Sequence, residues 1–77
     1  MSEDAVRTAR ARYYAATTFV DQCYGRVLDE LDRLGLRDTT VVAFLSDHGD
    51  LLGEHGAFSK YCFYESAIRI PFIMRAP

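Results

Sequence analysis

The sequence predicts an α/β fold with a parallel sheet, and three observations support this prediction. Apolar residues recur at helical spacing over about residues 5–34, and a continuous apolar run follows at residues 40–45. A polar, glycine-containing stretch comes directly after that run. A long helix that leads into a strand buried on both faces is half of a βαβ unit. Because ligands of open α/β sheets bind beyond the carboxyl ends of the strands, the polar stretch is predicted to be a binding loop.

Length and composition indicate a folded segment that is small for an independent domain. The chain has 77 residues, a formal net charge of -2 and 49% hydrophobic residues. This apolar content suffices for a core, although a domain of this size buries only about 60% of its unfolded surface. A strand covered on both faces needs helices on both sides, which one helix and two strands do not supply. We therefore expect residues 1–77 to be part of a larger domain.

Charge and hydropathy argue against some classes of partner. The charges are nearly balanced without a basic block, so nucleic acid is not an expected partner. No stretch approaches the roughly 18 apolar residues of a membrane span. The first residues are acidic and lead into arginine-rich sequence without a signal-peptide core. The chain as written is therefore expected to be cytoplasmic or to be a piece of a longer protein, and the sequence leaves the localisation open. Cys23 and Cys62 show no CxxC spacing and are expected to be free, half-buried thiols, with a disulfide between them as the alternative. The sequence leaves the oligomeric state open.

The first element is an amphipathic helix over about residues 5–34. Its apolar stripe lies opposite mostly charged residues, which indicates burial against a core. Gly35 is suited to end the helix, and Arg33 lies in the last turn, where it faces the negative end of the helix dipole. Gly25 lowers the helix propensity by about 1 kcal/mol relative to alanine, so we expect a close packing contact there. The stripe consists of Val6, Ala9, Tyr13, Ala16 or Thr17, Val20, Tyr24, Val27, Leu28, Leu31 and Leu34.

Two strands and a long loop follow the helix. The β-branched and apolar run predicts a strand at about residues 40–45 that is covered on both faces. Residues 46–66 mix glycine with polar and aromatic residues and are predicted to be a loop with one helical turn near Tyr61–Glu65. A second strand is predicted at about residues 70–75, where Pro71 fits only the first residue or an edge position.

Asp47 and His48 stand at the carboxyl end of the first predicted strand. A carboxylate oxygen and a neutral imidazole nitrogen are both common ligands of divalent cations. Gly49 gives the backbone the freedom to turn both side chains toward one ion. The alternative is an ordinary turn in which Asp47 caps the following segment. Spacing alone does not decide between the two, because two adjacent ligands do not make a metal site.

Two further side chains in the loop are candidates for a role in binding. A zinc cluster of Asp47, His48 and His55 is conceivable, although its spacing matches no familiar zinc pattern. His55 could equally orient a ligand through a hydrogen bond. Lys60 stands where it could fold back over a metal and meet an anionic group as a point charge. Its alternative is a solvated surface lysine.

The order of these segments resembles the sulfatase family of the alkaline-phosphatase-like superfamily. The matching segments are FVDQCYGRVLDELDRLGLRD, then TVVAFLSDHGDLLGEHG, then a lysine, then YESAIRIPFIMRAP. The likeness extends from about Tyr13 to Pro77, and its specific part is Thr40–Pro71. It is best for the branch of iduronate-2-sulfatase-like and choline-sulfatase-like enzymes and phosphonate monoester hydrolases, where His follows the metal-binding Asp. The resemblance implies that residues 1–77 are a fragment of a three-layer αβα catalytic domain.

The resemblance also implies roles for four residues. Asp47 and His48 match a pair of metal ligands, usually for Ca²⁺ in sulfatases, with Mn²⁺ or Zn²⁺ as alternatives because imidazole is not a preferred Ca²⁺ ligand. Lys60 matches the lysine that contacts the sulfate group. His55 matches a position commonly occupied by His in this branch and is a further candidate for a catalytic role. The implied reaction is attack by a formylglycine hydrate, made from Cys or Ser, on a sulfate ester.

The sequence departs from the family pattern at the nucleophile. The motif of Cys or Ser followed by x-Pro-x-Arg does not occur in the 77 residues, and the first pair of metal-binding aspartates is also missing. The prediction is therefore a sulfuric ester hydrolase fragment that is inactive alone and meets a sulfate ester when the rest of the domain is present. The alternatives are a phosphonate or phosphate ester hydrolase of the same superfamily, or a non-catalytic remnant that acts as a packing or binding module.

Overall fold

The structure is a computed structural model that describes residues 2–60 and 62–77. These residues form helices and two small antiparallel sheets, which is a mixed α/β arrangement. The chain divides into two units, one of Met1–Val41 with Ala76–Pro77 and the other of Val42–Arg75.

The first unit is dominated by helix α1, Glu3–Arg33. The helix begins after Ser2, whose side-chain oxygen accepts a hydrogen bond from the amide of Ala5 at 3.2 Å, the interaction preferred at a helix N-cap. Near its end, Arg33 donates to both carboxylate oxygens of Glu30 at 2.8 and 2.5 Å. This pairing lowers the pKa of the exposed Glu30 carboxyl group.

Helix α1 ends in a Schellman motif. The amide of Gly35 donates to the carbonyl of Asp32 at 3.0 Å, and the amide of Leu36 donates to the carbonyl of Leu31 at 3.1 Å. Two carbonyls that the last turn leaves without helical partners are thereby satisfied. The motif needs a left-handed residue, and Gly35 supplies it with a φ of 70°. A 3₁₀ turn at Arg37–Thr39 follows.

Most of the apolar stripe of α1 is exposed and none of it is buried, which corrects the prediction that it packs against a core. No residue of α1 is buried, and the exposed fraction reaches 49% for Tyr24 and 67% for Val27. The unit holds one helix and one 3₁₀ turn, so no second layer covers the stripe within its described residues. The predicted close contact at Gly25 is also wrong for the part of the chain that the structure describes, where a Cβ built at this position meets no atom within 4 Å.

Substitution of alanine is expected to change the stability of α1 in opposite directions at the two glycines of this unit. Gly35→Ala is expected to destabilise α1 by about 1–2 kcal/mol, because an alanine Cβ opposes the left-handed conformation. Gly25→Ala is expected to stabilise it by about 0.5–1 kcal/mol, because alanine restricts the unfolded chain in a helix interior with open space. Urea unfolding followed by far-ultraviolet circular dichroism measures both shifts. Equal shifts of the same sign would contradict the Schellman geometry at Gly35.

The second unit consists of two antiparallel strand pairs and a short helix. Strand β1 pairs with β4, and β2 pairs with β3 as a hairpin. The elements in chain order are β1 (Val42–Leu45), β2 (Leu51–Leu52), a 3₁₀ turn (Glu54–Gly56), β3 (Phe58–Ser59), α2 (Glu65–Ile68) and β4 (Phe72–Arg75).

The prediction of a buried, parallel strand is wrong for the two longer strands that this chain contains. Strand β1 runs antiparallel to β4, with Leu45 opposite Phe72. A parallel pair needs a crossover connection that is usually a helix. Helix α1 precedes β1, and among the described residues between β1 and β4 the only α-helix is the four-residue α2. The strands are also exposed, with exposed fractions of 54% for Leu45 and 64% for Phe72.

The core residues of the second unit belong to β2 and α2. Leu51 in β2 is 1% exposed, and Ala67 in α2 is 2% exposed. The amide of Gly49 donates to the carbonyl of Ala67 at 2.7 Å, so the segment that follows β1 is bonded to α2. The best-packed part of this unit is therefore the region that carries the predicted binding loop.

Three remaining predictions concern the cysteines, the membrane and the helical turn. Cys23 and Cys62 are free, as predicted; Cys62 is half-buried, whereas the prediction of half-burial is wrong for Cys23, which is exposed. Across residues 2–60 and 62–77, the structure contains no helix that is both long and apolar enough to cross a membrane. The helical turn predicted near Tyr61–Glu65 falls partly on Tyr61, which lies outside the described residues, and α2 begins at Glu65.

Candidate metal and anion site

A turn closed by its own side chains follows β1. The hydroxyl of Ser46 donates to the carbonyl oxygen of His48 at 2.6 Å, and Oδ1 of Asp47 accepts from the backbone amide of His48 at 3.0 Å. Short polar side chains commonly stabilise turns in this way. The predicted capping role of Asp47 and its predicted ligand role are compatible, because the backbone contact uses one carboxylate oxygen and leaves the other for a second partner.

Two contacts determine which nitrogen of the His48 ring carries a proton. Nδ1 lies 2.8 Å from the carbonyl oxygen of Gly49, a partner that requires an N–H donor. Nε2 lies 3.0 Å from Nζ of Lys60, and an ammonium group has donors but no acceptor. We therefore assign the proton to Nδ1, which leaves Nε2 with a lone pair.

The second carboxylate oxygen of Asp47 lies close to this lone pair. Oδ2 of Asp47 is 3.6 Å from Nε2 of His48, and the two side chains are 87% and 32% exposed. Both atoms are acceptors, so their proximity is favourable when a cation is nearby. Two ligand atoms that each lie about 2.0–2.6 Å from one ion are about 2.8–4.2 Å apart in octahedral or tetrahedral geometry. The observed separation therefore fits a shared divalent cation.

The β2–β3 hairpin brings Lys60 to the turn. Leu51 pairs with Ser59, so the residue after Ser59 is placed near the segment that precedes Leu51. Gly53 and Gly56 give the hairpin its tight loop, with φ values of 102° and 68°, which residues with a side chain rarely adopt. The register of this hairpin brings Lys60 and His48 together across the loop.

His55 has a different partner. Its ring stacks on the ring of Tyr64, with centroids 3.7 Å apart and an interplanar angle of 9°. Within the two described ranges, no group of three or more His, Cys, Asp or Glu side chains could hold a metal ion, so the zinc cluster of Asp47, His48 and His55, which the sequence left as a less favoured alternative, does not form there. The stack fastens the hairpin loop to the segment before α2, and a catalytic role for His55 stays a prediction.

Two features of the site were not anticipated from the sequence. The first is the hydroxyl of Ser46, although a serine at the start of a polar turn is a recognised signal. The second is the close approach of Gly49 to α2, where an added Cβ would overlap the carbonyl oxygen of Ser66. No local signal reveals this approach, because the two segments are distant in the chain.

Comparison with known proteins gives one family. A family model described as Sulfatase matches residues 2–77. The chain is 38% identical over 77 residues to a choline-sulfatase of Rhizobium meliloti (strain 1021) and 43% identical over 75 residues to the iduronate 2-sulfatase of Mus musculus. It is 37% identical over 75 residues to a multifunctional alkaline phosphatase superfamily protein, PehA, of Trinickia caryophylli.

The alignments cover this chain almost completely and the relatives only in part. They include 100%, 97% and 97% of this chain, respectively, and 15%, 14% and 15% of the three relatives. The chain thus spans about one seventh of the length of the curated relatives that it matches.

Proposed function

The chain belongs to the sulfatase family, and from this we propose that it forms one part of a sulfuric ester hydrolase. In this proposal Asp47 and His48 supply two ligands to a divalent cation, and Lys60 contacts the anionic group of a sulfate ester. Two of the similar proteins are a choline-sulfatase and an iduronate 2-sulfatase, which supports a sulfate ester as the substrate class.

The convergence of the three candidate residues is the observation that carries this proposal. Nε2 of His48 lies 3.0 Å from Nζ of Lys60 and 3.6 Å from Oδ2 of Asp47. At the carboxyl end of β1, Nε2 of His48 therefore has an ammonium group at hydrogen-bonding distance and a second acceptor, the carboxylate oxygen, nearby. An isolated turn needs no lysine from twelve residues further along the chain, so the contact favours a binding site over a simple turn.

The types of donor atom suit a divalent cation. A carboxylate oxygen suits Ca²⁺, whereas an imidazole nitrogen suits Mn²⁺ or Zn²⁺ better; the resemblance favours Ca²⁺, with the other two as alternatives. When bound, such an ion supplies charge stabilisation to the oxygens of the transferring group. Two protein ligands hold a metal weakly, so we expect affinity in the millimolar range from these residues alone.

Lys60 and the nucleophile have separate parts in this proposal. A lysine ammonium binds sulfate or phosphate as a point charge, and it stabilises the charge on the transferring group without forming a covalent bond. The reaction also needs a nucleophile, and the family's Cys or Ser followed by x-Pro-x-Arg does not occur in the 77 residues. Binding without hydrolysis is therefore proposed for these residues by themselves. If the purified chain hydrolysed a sulfate ester and Asp47→Ala lost this activity, the proposal that these residues bind the ester without hydrolysing it would be overturned.

A second candidate function is hydrolysis of phosphate or phosphonate esters. One relative is named a multifunctional alkaline phosphatase superfamily protein and is 37% identical to this chain. Point-charge binding by Lys60 does not distinguish a sulfate from a phosphate. The two candidates therefore share the same metal and anion contacts.

Metal binding by the Asp47 and His48 pair is tested with Mn²⁺, which broadens the NMR signals of nearby nuclei. In the ¹⁵N-labelled chain, we expect broadening to begin at the amides of these two residues. Asp47→Asn removes the charge with little change of shape and is expected to weaken Mn²⁺ binding about tenfold or more. Asp38→Asn is the matched control, because it removes an exposed carboxylate in the other unit.

The outcomes of this titration distinguish a specific metal site at Asp47 and His48 from non-specific attraction of the cation to the chain. Equal weakening in both variants would mean that only net charge matters and would overturn the metal-ligand pair. Absence of broadening at millimolar Mn²⁺ would overturn it too and would favour a remnant without a binding function.

A further inference from the structure

A single lone pair on His48 links the proposed metal and anion roles. Nδ1 of the ring is engaged by the carbonyl of Gly49, and Nε2 lies 3.0 Å from the Lys60 ammonium group. In this tautomer Nε2 has one lone pair, which can accept a hydrogen bond or ligate a cation but not both at once. The lysine and a metal ion therefore compete for the same atom.

Charge strengthens this competition. Oδ2 of Asp47 lies 3.6 Å from Nε2 and attracts whichever cation is there. An ammonium group and a divalent cation within a few ångströms of each other repel, so a metal at Nε2 displaces Lys60 both sterically and electrostatically.

Lys60 can leave His48 while the hairpin stays intact. The side chain is exposed and has a long, flexible stem. The backbone of this segment is held by other contacts, namely the pairing of Leu51 with Ser59 and a 2.8 Å hydrogen bond from the amide of Cys62 to the carbonyl of Lys60. Only the ammonium group has to move when its partner changes.

We infer that Lys60 alternates between Nε2 of His48 and the anionic group of the ester, and that a divalent cation at Asp47 and His48 releases it for the anion. This inference rests on the proposed function, which supplies the metal and the anion. By linkage, each of the two ligands must then raise the affinity for the other by the same factor. Binding of the metal frees the lysine ammonium group for the anion, so the affinity for the anion is higher when the cation is in place.

The test compares Lys60→Met with Arg75→Met, since each variant removes one exposed positive charge from the same unit. Mn²⁺ is titrated with the same NMR readout, with and without inorganic sulfate, at an ionic strength held constant with chloride. Lys60→Met is expected to bind Mn²⁺ about threefold to tenfold more tightly than the parent, because a partly exposed charge-assisted hydrogen bond no longer competes. The Mn²⁺ affinity of Arg75→Met is expected to stay within about a factor of two of that of the parent chain.

Sulfate supplies the second measurement. In the parent chain, sulfate is expected to tighten Mn²⁺ binding by about threefold to tenfold, because it holds the ammonium group away from Nε2. In Lys60→Met this factor is expected to fall toward one, while Arg75→Met keeps the factor of the parent.

The inference and the proposed function fail in different ways. If Asp47→Asn weakens Mn²⁺ binding but Lys60→Met binds the ion no more tightly than the parent, the exchange of Lys60 is overturned and the metal pair stands. The exchange is likewise overturned if Lys60→Met and Arg75→Met tighten binding equally, since net charge then explains both. If Asp47→Asn has no effect on Mn²⁺ binding, the proposed metal pair fails, and the inference fails with it.

Discussion

Gly49→Ala is expected to unfold the second unit and, with it, to remove the proposed metal binding. The amide of Gly49 donates to the carbonyl of Ala67 at 2.7 Å, and an added Cβ at this position would overlap the carbonyl oxygen of Ser66. The overlapping atom belongs to the backbone of α2, so a side-chain rotation cannot relieve the overlap. The two segments must separate and the hydrogen bond must break.

The expected loss of stability is large for this unit. Overpacking and a broken hydrogen bond together lower the free energy of unfolding by about 2–4 kcal/mol. A unit of this length has a free energy of unfolding of roughly 2–5 kcal/mol. The same change disturbs the carbonyl of Gly49 that holds the ring of His48, so the proposed metal ligand loses its orientation as well.

Amide signals of residues 42–75 measure this effect. In Gly49→Ala we expect these signals to lose their dispersion and their protection against hydrogen exchange, while those of α1 stay unchanged. Gly25→Ala is the matched control, because it makes the same substitution in open space and is expected to leave the second unit intact. If the amide of residue 49 in Gly49→Ala kept its full protection against hydrogen exchange, the close approach of this residue to α2 would be contradicted.

Leu51→Ala is the second substitution with a large expected effect. Leu51 is 1% exposed and is the largest fully buried side chain of the described residues. Truncating a buried leucine removes transfer free energy and leaves a cavity, which costs about 2–5 kcal/mol in protein cores. We expect about 2–3 kcal/mol here, because a small unit can partly collapse around the gap.

The consequence of Leu51→Ala should extend to Lys60. Leu51 pairs with Ser59, so loosening β2 releases the strand that positions the lysine against His48. Urea unfolding monitored by the amide signal of Gly53, whose N–H donates to Ala57 at 2.9 Å, measures the stability of the hairpin. Leu45→Ala serves as control, since Leu45 is 54% exposed in the same unit and should cost less than about 1 kcal/mol. Equal effects of the two substitutions would mean that burial of Leu51 does not stabilise the hairpin.

The long helix and the positions of the strands could be anticipated from local patterns, while their packing could not. The 3.6-residue period and Gly35 predict a helix over residues 5–34, and α1 extends over Glu3–Arg33. The apolar run predicts a strand, and β1 lies within it. The direction of pairing depends on what connects the strands. The described residues between β1 and β4 contain the β2–β3 hairpin and the short helix α2 but no long crossover helix, and β1 and β4 pair antiparallel. Burial of the apolar stripe depends on neighbouring elements that cover it. A periodic stripe indicates that such elements are needed but does not supply them.

The sequence by itself determined the family and the chemistry of the candidate residues. The order of the strand, the Asp-His pair, the glycines and the lysine indicates the sulfatase family, and the residue types are those of the two proposed metal ligands and the proposed anion contact. Only the tertiary structure decided which of these side chains meet. The register of the β2–β3 hairpin brings Lys60 to within 3.0 Å of His48, while His55 stacks on Tyr64. The physical reason is that contacts across a loop depend on strand register and on close backbone approaches such as that of Gly49 to Ser66, which arise from packing between distant segments.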